Sequence, residues 1–276
     1  MKSIFSPQNL RSALFTALFL VISQLSTHAS LMTAGVNLGY ADTTPTNRWA
    51  VFTLGSAPGD VNTVSSGAQI FGDAGFAGSG NSNLSGTGSI RGEAVSRSTG
   101  SMLKSSGFSI TGGTNNTRDG DLATGVADAY AASTAAFGLA STAGYPTTIN
   151  QNTSLTLNDT TGGNVVLHLT DFVLSNTAAL TLQGTATTTY IINVTNKFSL
   201  SGSSIVLLGG VKAENVLFNV VGTGDATLSG SSVLNGTLLA ANRTVKMAGS
   251  ATVYGEVIAN KVALSGTSSV RRPISP

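Results

Sequence analysis

Leu200-Ser201-Gly202-Ser203-Ser204-Ile205-Val206 is one copy of a seven-residue pattern that recurs along this chain. Each copy has an apolar residue, a small corner built around glycine, and a second apolar residue. The other copies are Leu84–Ile90, Leu228–Leu234, Leu264–Val270 and, in outline only, Met247–Val253. An apolar pair around a glycine corner is typical of one turn of a stacked β coil, so the repeat predicts a solenoid.

Two stretches near the end of the chain indicate the length of one coil. Gly236–Ala241 can be overlaid on Gly255–Asn260 at an offset of 19 residues, and Val245 on Val262 at an offset of 17. Coils of this length fit a β-helix with three sides, and the variable period makes it irregular. We therefore predict a mainly β fold, an irregular three-sided β-helix of about nine or ten coils stacked roughly 4.8 Å apart.

One segment has the period of a helix instead of a strand. Apolar and small side chains recur at three- and four-residue steps from Leu122 to Ala140, and Gly144 follows the last of them. Ser133 is the one polar member of this stripe. The pattern predicts one long amphipathic α-helix at about 119–141, packed along the side of the solenoid.

The first residues resemble a secretory signal peptide. Lys2 and Arg11 give a basic start, Ala13–Ile22 is an apolar run, and small residues before Ala29 suit a cleavage site. We predict a signal peptide over 1–29 and a single β-solenoid domain over 30–276. Because no second run of about 20 apolar residues follows, we expect no transmembrane segment in the mature chain, which would be secreted or held at the cell surface.

Charge and composition exclude several classes of function. The chain carries 14 Lys plus Arg against 12 Asp plus Glu, and removing Lys2 and Arg11 brings the net charge to about zero. Net charge therefore gives no support to a nucleic-acid partner. The chain has no cysteine, so packing and the backbone ladder must stabilise it without disulfides.

Residues that carry catalytic chemistry are few. The chain has two histidines, and His28 falls in the predicted leader, which leaves His168 as a strand histidine hydrogen-bonded at the surface. The carboxylates are isolated in sequence except for Asp119-Gly120-Asp121. We expect this pair to cap the helix start, with a calcium site as the alternative. We assign no catalytic residue, no metal ligand and no cofactor, and predict that the protein is not an enzyme.

Hydroxyl side chains are dense on the predicted strands and corners, as at Thr185 and Thr187–Thr189. Outward threonines at alternate positions of a flat coil face would present methyl and hydroxyl groups in a lattice that orders water or meets a sugar surface. The alternative is that Thr simply favours strands and Ser favours corners. The sequence does not identify which face binds.

The order of the blocks in the second half, with the helix before them, resembles the choice-of-anchor A family of bacterial adhesive domains. The resemblance extends over roughly Trp49 to Val270. The blocks that carry it are Leu155–Leu157, Asn164–Leu174, Thr188–Val194, Asn215–Val220, Asn235–Ala240 and Gly255–Ala259. It implies a solenoid that acts as an adhesive domain.

The closing blocks are also similar to the secreted β-solenoid ice-binding proteins, and Val36–Gly39 is similar to their opening. The chain differs from them after the helix, where Gly144–Pro146 replaces their Leu-x-Pro-Gly-x-Tyr element. The two resemblances imply the same fold and different ligands.

Taken together, these observations favour an exported, non-enzymatic adhesion module that uses a flat repetitive solenoid face through many weak contacts. Its ligand would be an extracellular surface or matrix component, either a polysaccharide or ice. Ice binding is the main alternative function, and a carbohydrate-active β-helix enzyme is a third interpretation, because carboxylates distant in sequence can meet in a solenoid.

Overall fold

The structure is a computed structural model that describes residues 31, 34–55, 57, 59–222 and 224–272. The predicted signal peptide therefore lies outside the described residues. A short 3₁₀ turn, Gly39–Ala41, precedes the first strand, and another, Ala213–Asn215, lies late in the chain. The strands before the helix are β1 (Trp49–Thr53), β2 (Asn62–Val64), β3 (Gln69–Phe71), β4 (Asp73–Phe76), β5 (Asn81–Leu84), β6 (Ser89–Ile90), β7 (Ala94–Ser96), β8 (Ser101–Lys104), β9 (Ser109–Ile110) and β10 (Thr114–Asn115).

In the described part of the chain, one long helix, α1 (Asp119–Gly138), separates these strands from the rest. The strands after it are β11 (Ile149–Gln151), β12 (Leu155–Asn158), β13 (Asn164–Leu169), β14 (Phe172–Ser175), β15 (Ala179–Gln183), β16 (Thr189–Val194), β17 (Phe198–Ser201), β18 (Ser204–Leu208), β19 (Val216–Val220), β20 (Ala226–Ser229), β21 (Val233–Met247), β22 (Thr252–Leu264) and β23 (Ser269–Arg271). β21 and β22 are long because each continues around the corners of the coil.

The strands form three parallel sheets, which are the three sides of a β-helix. The covered face consists of β1, β4, β7, β10, β13, β16, β19 and the middle of β21 and β22. The serine face consists of β2, β5, β8, β11, β14, β17, β20 and the ends of β21 and β22. The aromatic face consists of β3, β6, β9, β12, β15, β18, β23 and the starts of β21 and β22.

The predicted fold class is confirmed in its main features. Within the described ranges each face stacks nine strands, which agrees with the expected nine or ten coils. The pairing of β21 with β22 places Gly236 beside Gly255 and Val245 beside Val262, as the overlay of the two stretches predicted. The register shifts between Ala240 and Thr244, which accounts for the change of offset from 19 to 17.

The order of the coils in the stack differs from their order in the chain. β22 of the last part pairs with β1 of the first part, Val257 beside Val51, and β23 pairs with β3. The chain thus starts in the middle of the stack, builds outward to β8–β10, crosses the covered face as α1, and returns from β11 back to the middle. This junction, where β22 and β23 pair with β1, β2 and β3, is the seam. The repeat does not predict it, because a coil repeat specifies how a coil closes and not which coil stacks on which.

The interior of the coils is a continuous apolar core. Inward side chains from all three faces fill it, and the rings of Phe172, Phe198 and Phe218 pack against one another with centroids 5.2 to 5.9 Å apart. Centroid distances in this range are those that aromatic pairs prefer. The alternation of buried and outward residues on each strand therefore sets which side chains are free to meet a ligand.

The glycines of the repeat form the corners between the serine and aromatic faces. Gly86, Gly202, Gly230, Gly249 and Gly266 all have φ between 64° and 73°, which is the left-handed region that glycine enters without a steric penalty. This confirms the prediction that they are turns. In two coils that lack the glycine, Ser66 and Asn176 adopt the same conformation, with φ of 58° and 53°.

The helix is present where the sequence predicts it, although it ends at Gly138 instead of about 141. The predicted capping by Asp119 and Asp121 is wrong. Arg118 occupies the N-cap position and makes no side-chain capping bond, because its guanidinium binds Asp121 while Asp119 accepts hydrogen bonds from Ser98. No helix in the described part of the chain is long and apolar enough to cross a bilayer.

Candidate functional site

The covered face is closed to ligands by α1. Its outward apolar side chains form a second buried cluster with the helix, and this cluster includes Val166, Ile191, Leu217, Leu239 and Ile258 from successive strands. Leu122, Ala129, Ala132 and Ala136 are the buried helix residues that meet them. Among the described residues, the serine face and the aromatic face are the two broad surfaces that the helix leaves open.

A polar ladder fixes the helix to the covered face. His168, Asn193 and Asn219 occupy one register column on β13, β16 and β19. His168 Nε2 lies 2.8 Å from the Leu139 carbonyl, Asn193 Nδ2 donates to the Ala136 carbonyl, and Asn219 Nδ2 donates to the Ser133 carbonyl. Three residues of helix rise about 4.5 Å, close to the roughly 4.8 Å between coils. The helix carbonyls and the strand side chains that bind them therefore stay in register.

His168 therefore has a structural position and not a catalytic one. It lies at the end of α1, and its ring also packs edge-on against Phe137 with centroids 5.4 Å apart. The same ladder explains the polar Ser133 in the apolar stripe, because its hydroxyl donates to Asn219 Oδ1 at 2.7 Å. The expectation of a hydrogen-bonded strand histidine is borne out in the structure, while the helix as its partner was not foreseen.

Serines form a column along one edge of the serine face. The serine that precedes the corner in each repeat is the last outward position of its strand, and backbone pairing aligns these positions from coil to coil. The column reads Ser175, Ser201, Ser229, Ala248, Ser265, Ser65, Ser85 and Ser105. Hydroxyls thus recur at about 4.8 Å, the spacing of stacked strands, with a single interruption at Ala248.

The next outward column of the serine face carries mostly short side chains. It reads Asn150, Val173, Ser199, Thr227, Lys246, Ala263, Thr63, Asn83 and Leu103. Thr227 Oγ1 donates to Ser199 Oγ at 3.1 Å, so neighbouring hydroxyls hold each other in place. Small, aligned side chains on parallel strands make this part of the face flat.

Most charges on the serine face lie along the edge opposite the serine column, where its strands begin. Lys246 pairs with Asp225 at 2.6 Å, and Lys261 pairs with Asp60 at 3.0 Å. Burial of Asp60 disfavours its charged form, but hydrogen bonds from the Ala57 amide and from Lys261 outweigh it, so the pKa of Asp60 lies below its ordinary value. Apart from Lys246, the two hydroxyl-rich columns contain no charged side chain.

The aromatic face is less regular. Its central outward column reads Thr156, Thr181, Val206, Asn235, Tyr254, Arg271, Phe71, Arg91 and Thr111. Four bulky side chains stand together there, and Tyr254 is 44% exposed. This face therefore offers a ridge with two positive charges instead of a flat array of hydroxyls.

Carboxylates do not gather into a catalytic or metal-binding group. Asp73 and Glu93, on adjacent coils, converge on the Asn47 side-chain amide, whose Nδ2 donates to Asp73 Oδ2 at 3.0 Å and to Glu93 Oε2 at 2.9 Å. Asp119 is held by Ser98, whose hydrogen bonds lower the pKa of the Asp119 carboxyl. Among the described residues, no three His, Cys, Asp or Glu side chains are placed to share a metal ion.

A second acidic group is buried at the seam. Glu256 and Asp42 lie on either side of Arg272, with Arg272 Nη1 3.7 Å from Glu256 Oε1 and its Nη2 paired with Asp42 Oδ1. Burial raises the pKa of Glu256, and the charge of Arg272 offsets only part of this effect. The sequence showed these residues as isolated charges, because Asp42 and Arg272 are 230 positions apart.

Comparison with known families gives one match that spans almost all of the solenoid. The family model described as ice-binding-like matches residues 56–270. Among the curated proteins, none matches this chain.

Several solved structures share the fold. An ice-binding protein from the Antarctic ascomycete Antarctomyces psychrotrophicus has a TM-score of 0.54 at 22% identity, covering 87% of this chain and 99% of its own. A glycosylated ice-binding protein from an Arctic yeast has a TM-score of 0.54 at 19% identity, with 87% and 95% covered. A domain of an ice-binding protein from Shewanella frigidimarina has a TM-score of 0.53 at 17% identity, with 87% and 98% covered. At these identities the likeness concerns the fold.

Proposed function

Because this chain belongs to the ice-binding-like family, we propose that it binds ice and that the serine face is the surface that does so. The observation that carries the proposal is the family match over 56–270, which includes α1 and every strand from β2 to β22. Ice binding was the alternative in the sequence analysis.

The main prediction of an adhesion module was wrong. It depended on the resemblance to choice-of-anchor A domains, and the comparisons do not show that family, whereas they do show the ice-binding-like one. The two resemblances rest on the same structural blocks, which describe a solenoid and not its ligand. Sequence blocks that specify a coil therefore could not decide between the two functions.

The geometry supports the serine face over the other two. The covered face is occupied by α1, and the aromatic face carries Tyr254, Arg271, Phe71 and Arg91 in one raised column. The serine face presents two aligned columns of short side chains, most with hydroxyl or amide groups, at about 4.8 Å intervals. Such a surface can hold a layer of ordered water, since each bridging water needs polar partners at fixed positions.

The proposal includes an extracellular location and no catalytic step. The basic start, apolar run and small residues before Ala29 support export through a signal peptide over 1–29, leaving a single domain over 30–276. Ice outside the cell would then be the partner, with no cofactor. The match to a family of binding proteins agrees with a non-enzymatic role.

The test is ice activity of the purified chain, with one variant on each open face. Thr63→Tyr places a bulky ring in the middle of the serine face, between Ala263 and Asn83. Thr181→Tyr is the matched control, an outward strand threonine on the aromatic face between Thr156 and Val206. We expect the unmodified chain and Thr181→Tyr to cause thermal hysteresis and to inhibit ice recrystallisation, and Thr63→Tyr to lose most of both activities.

Circular dichroism of both variants checks that they remain folded. Loss of activity in Thr181→Tyr with retention in Thr63→Tyr would assign ice binding to the aromatic face instead. Absence of activity in the unmodified chain would overturn the proposed function.

A further inference from the structure

The aromatic face carries a local cluster that the serine face lacks. Arg271, Phe71 and Arg91 occupy the same outward position on three successive coils. The guanidinium carbon of Arg271 lies 3.9 Å from the centroid of the Phe71 ring, and that of Arg91 lies 4.4 Å from it. The ring is thus held between two cations that come from the coils on either side of it.

Both guanidiniums lack an acidic partner. Within the described part of the chain neither Arg91 nor Arg271 has a carboxylate in salt-bridge range, and both side chains are exposed. The adjacent Arg272 differs, because it is buried and paired with Asp42 and Glu256. Stacking on Phe71 uses the flat faces of the guanidiniums. The Arg271 Nε–H donates to Ser269 Oγ at 3.2 Å, so the Nη groups of Arg271 and the N–H edge of Arg91 are the groups available to bind an anion.

An open cavity beside the cluster has room for a ligand. Phe71, Gly72 and the arginines line a cavity of about 500 Å³ that opens to solvent. Tyr254 stands one coil beyond Arg271 and offers an exposed ring and hydroxyl. Two arginines next to exposed aromatic rings suit a ligand that carries carboxylates and also has an apolar ring face.

The spacing of the two cations decides between kinds of polyanion. The backbones of Arg91 and Arg271 are two coils apart, or roughly 9.6 Å along the stack, and their guanidinium carbons lie 4.4 and 3.9 Å from the centroid of the uncharged Phe71 ring, so the two cations are closer together than their backbones. Each strand of a B-form duplex carries a phosphate for about every 3.4 Å of helix axis and would place unpaired charges against Phe71. A saccharide chain with a single carboxylate on each ring has a lower charge density and fits the interval better.

We propose that the cluster of Arg91, Phe71, Arg271 and Tyr254 binds the carboxylates of a chain of uronic acids. The site is local and depends on two arginines, unlike the repetitive surface on the serine face. It does not rest on the proposed ice binding, because it lies on a different side of the β-helix. A chain held there would leave the serine face uncovered.

The test is isothermal titration calorimetry of the full chain with polygalacturonate fragments at low ionic strength. Neutral dextran of matched length and single-stranded DNA serve as comparison ligands. The test variant is Arg91→Gln with Arg271→Gln. The control variant is Lys197→Gln with Lys212→Gln, which removes the same charge from two exposed sites elsewhere.

We expect polygalacturonate to bind the unmodified chain and the control about equally, and the arginine variant at least about tenfold more weakly. Binding should also weaken as salt is added, since the contacts are exposed ion pairs. Equal weakening in the control variant, tighter binding of DNA, or equal binding of dextran would each overturn the proposal. Ice recrystallisation assays on the arginine variant separate the two proposals, because activity there should be unchanged.

Discussion

At the scale of single residues, the corners show how closely backbone conformation determines residue choice. Five repeat glycines adopt φ near 70°, and two coils place a serine or an asparagine in that conformation. Left-handed backbone costs an ordinary L-residue about 1–2 kcal/mol, which is why glycine recurs there. Asn tolerates the region better than Ser, so Ser66 is the more strained of the two.

A pair of substitutions tests this account. We expect Ser66→Gly to raise the free energy of unfolding by about 0.5–1 kcal/mol, because the relief of strain exceeds the added chain entropy of glycine. Gly230→Ala should lower it by about 1–2 kcal/mol for the opposite reason. Urea denaturation measures both changes. A destabilising effect of Ser66→Gly would show that its hydroxyl, not its backbone, matters most.

Glu256 gives a second prediction at this scale. It is 1% exposed, and its carboxylate oxygens accept no hydrogen bond from the described residues. Burial raises its pKa above the ordinary value of 4.5, so the folded state holds a proton that the unfolded state releases. Its contribution to stability is therefore full below pH 4.5 and is lost as pH rises through the folded pKa.

We expect Glu256→Gln to remove this loss, so that the variant gains stability relative to the unmodified chain as pH increases from 4.5. Denaturation at a series of pH values measures the effect. A difference between the two proteins that does not change with pH would show that Glu256 stays ionised in the folded state.

At the scale of elements, α1 is held by polar contacts as well as by its apolar stripe. Asn219 is fully buried and bonds to both the hydroxyl and the carbonyl of Ser133, and it also donates to Asn193 Oδ1 at 2.8 Å. Buried polar groups that lose a partner cost more than the bond itself contributes. The ladder therefore determines where along the covered face the helix can lie.

We expect Asn219→Ala to lower the free energy of unfolding by about 2–3 kcal/mol, because it leaves buried groups on Ser133 and Asn193 unpaired. His168→Ala is the control at the partly exposed end of the ladder, where water can replace the lost bond, and should cost about 0.5–1 kcal/mol. Urea denaturation gives both values, and hydrogen exchange of the α1 amides shows whether the helix loosens. A similar loss in the free energy of unfolding for the two variants would argue against a stabilising role for the buried part of the ladder.

At the scale of the whole molecule, the seam joins the first and last coils. Val51 pairs with Val257 and Thr63 with Ala263, contacts between residues about 200 positions apart. Arg272 bridges the seam by binding Asp42, by donating to the Trp49 carbonyl and by facing Glu256. Pairings this distant in sequence are expected to slow folding, because the loop entropy must be lost before the contacts form.

We expect Arg272→Ala to destabilise the chain by about 3–5 kcal/mol, since it removes the guanidinium that pairs with the buried Asp42 carboxylate. Trp49 is the single tryptophan and is fully buried at the seam, so its fluorescence reports whether the two parts are docked. In the unmodified chain, fluorescence and circular dichroism should follow one urea transition. In Arg272→Ala the fluorescence change should occur at a lower urea concentration than the change in circular dichroism. Two coincident transitions, with the same midpoints as in the unmodified chain, would contradict the role of Arg272.

Local sequence patterns were enough to predict the three-sided coil, its glycine corners, the helix and the overlay of β21 on β22. Each of these depends on a local period or on a backbone conformation that few residues adopt. The seam, the partners of His168 and Ser133, and the choice of faces that stay open depend on tertiary contacts instead. Coils with similar repeats can stack in more than one order, and a side chain becomes part of a surface only once the helix has covered one side. The repeat marks most serines of the serine column, but their order in the stack depends on the seam. The cluster of Arg91, Phe71 and Arg271 joins residues from both parts of the chain, so no local pattern could reveal it.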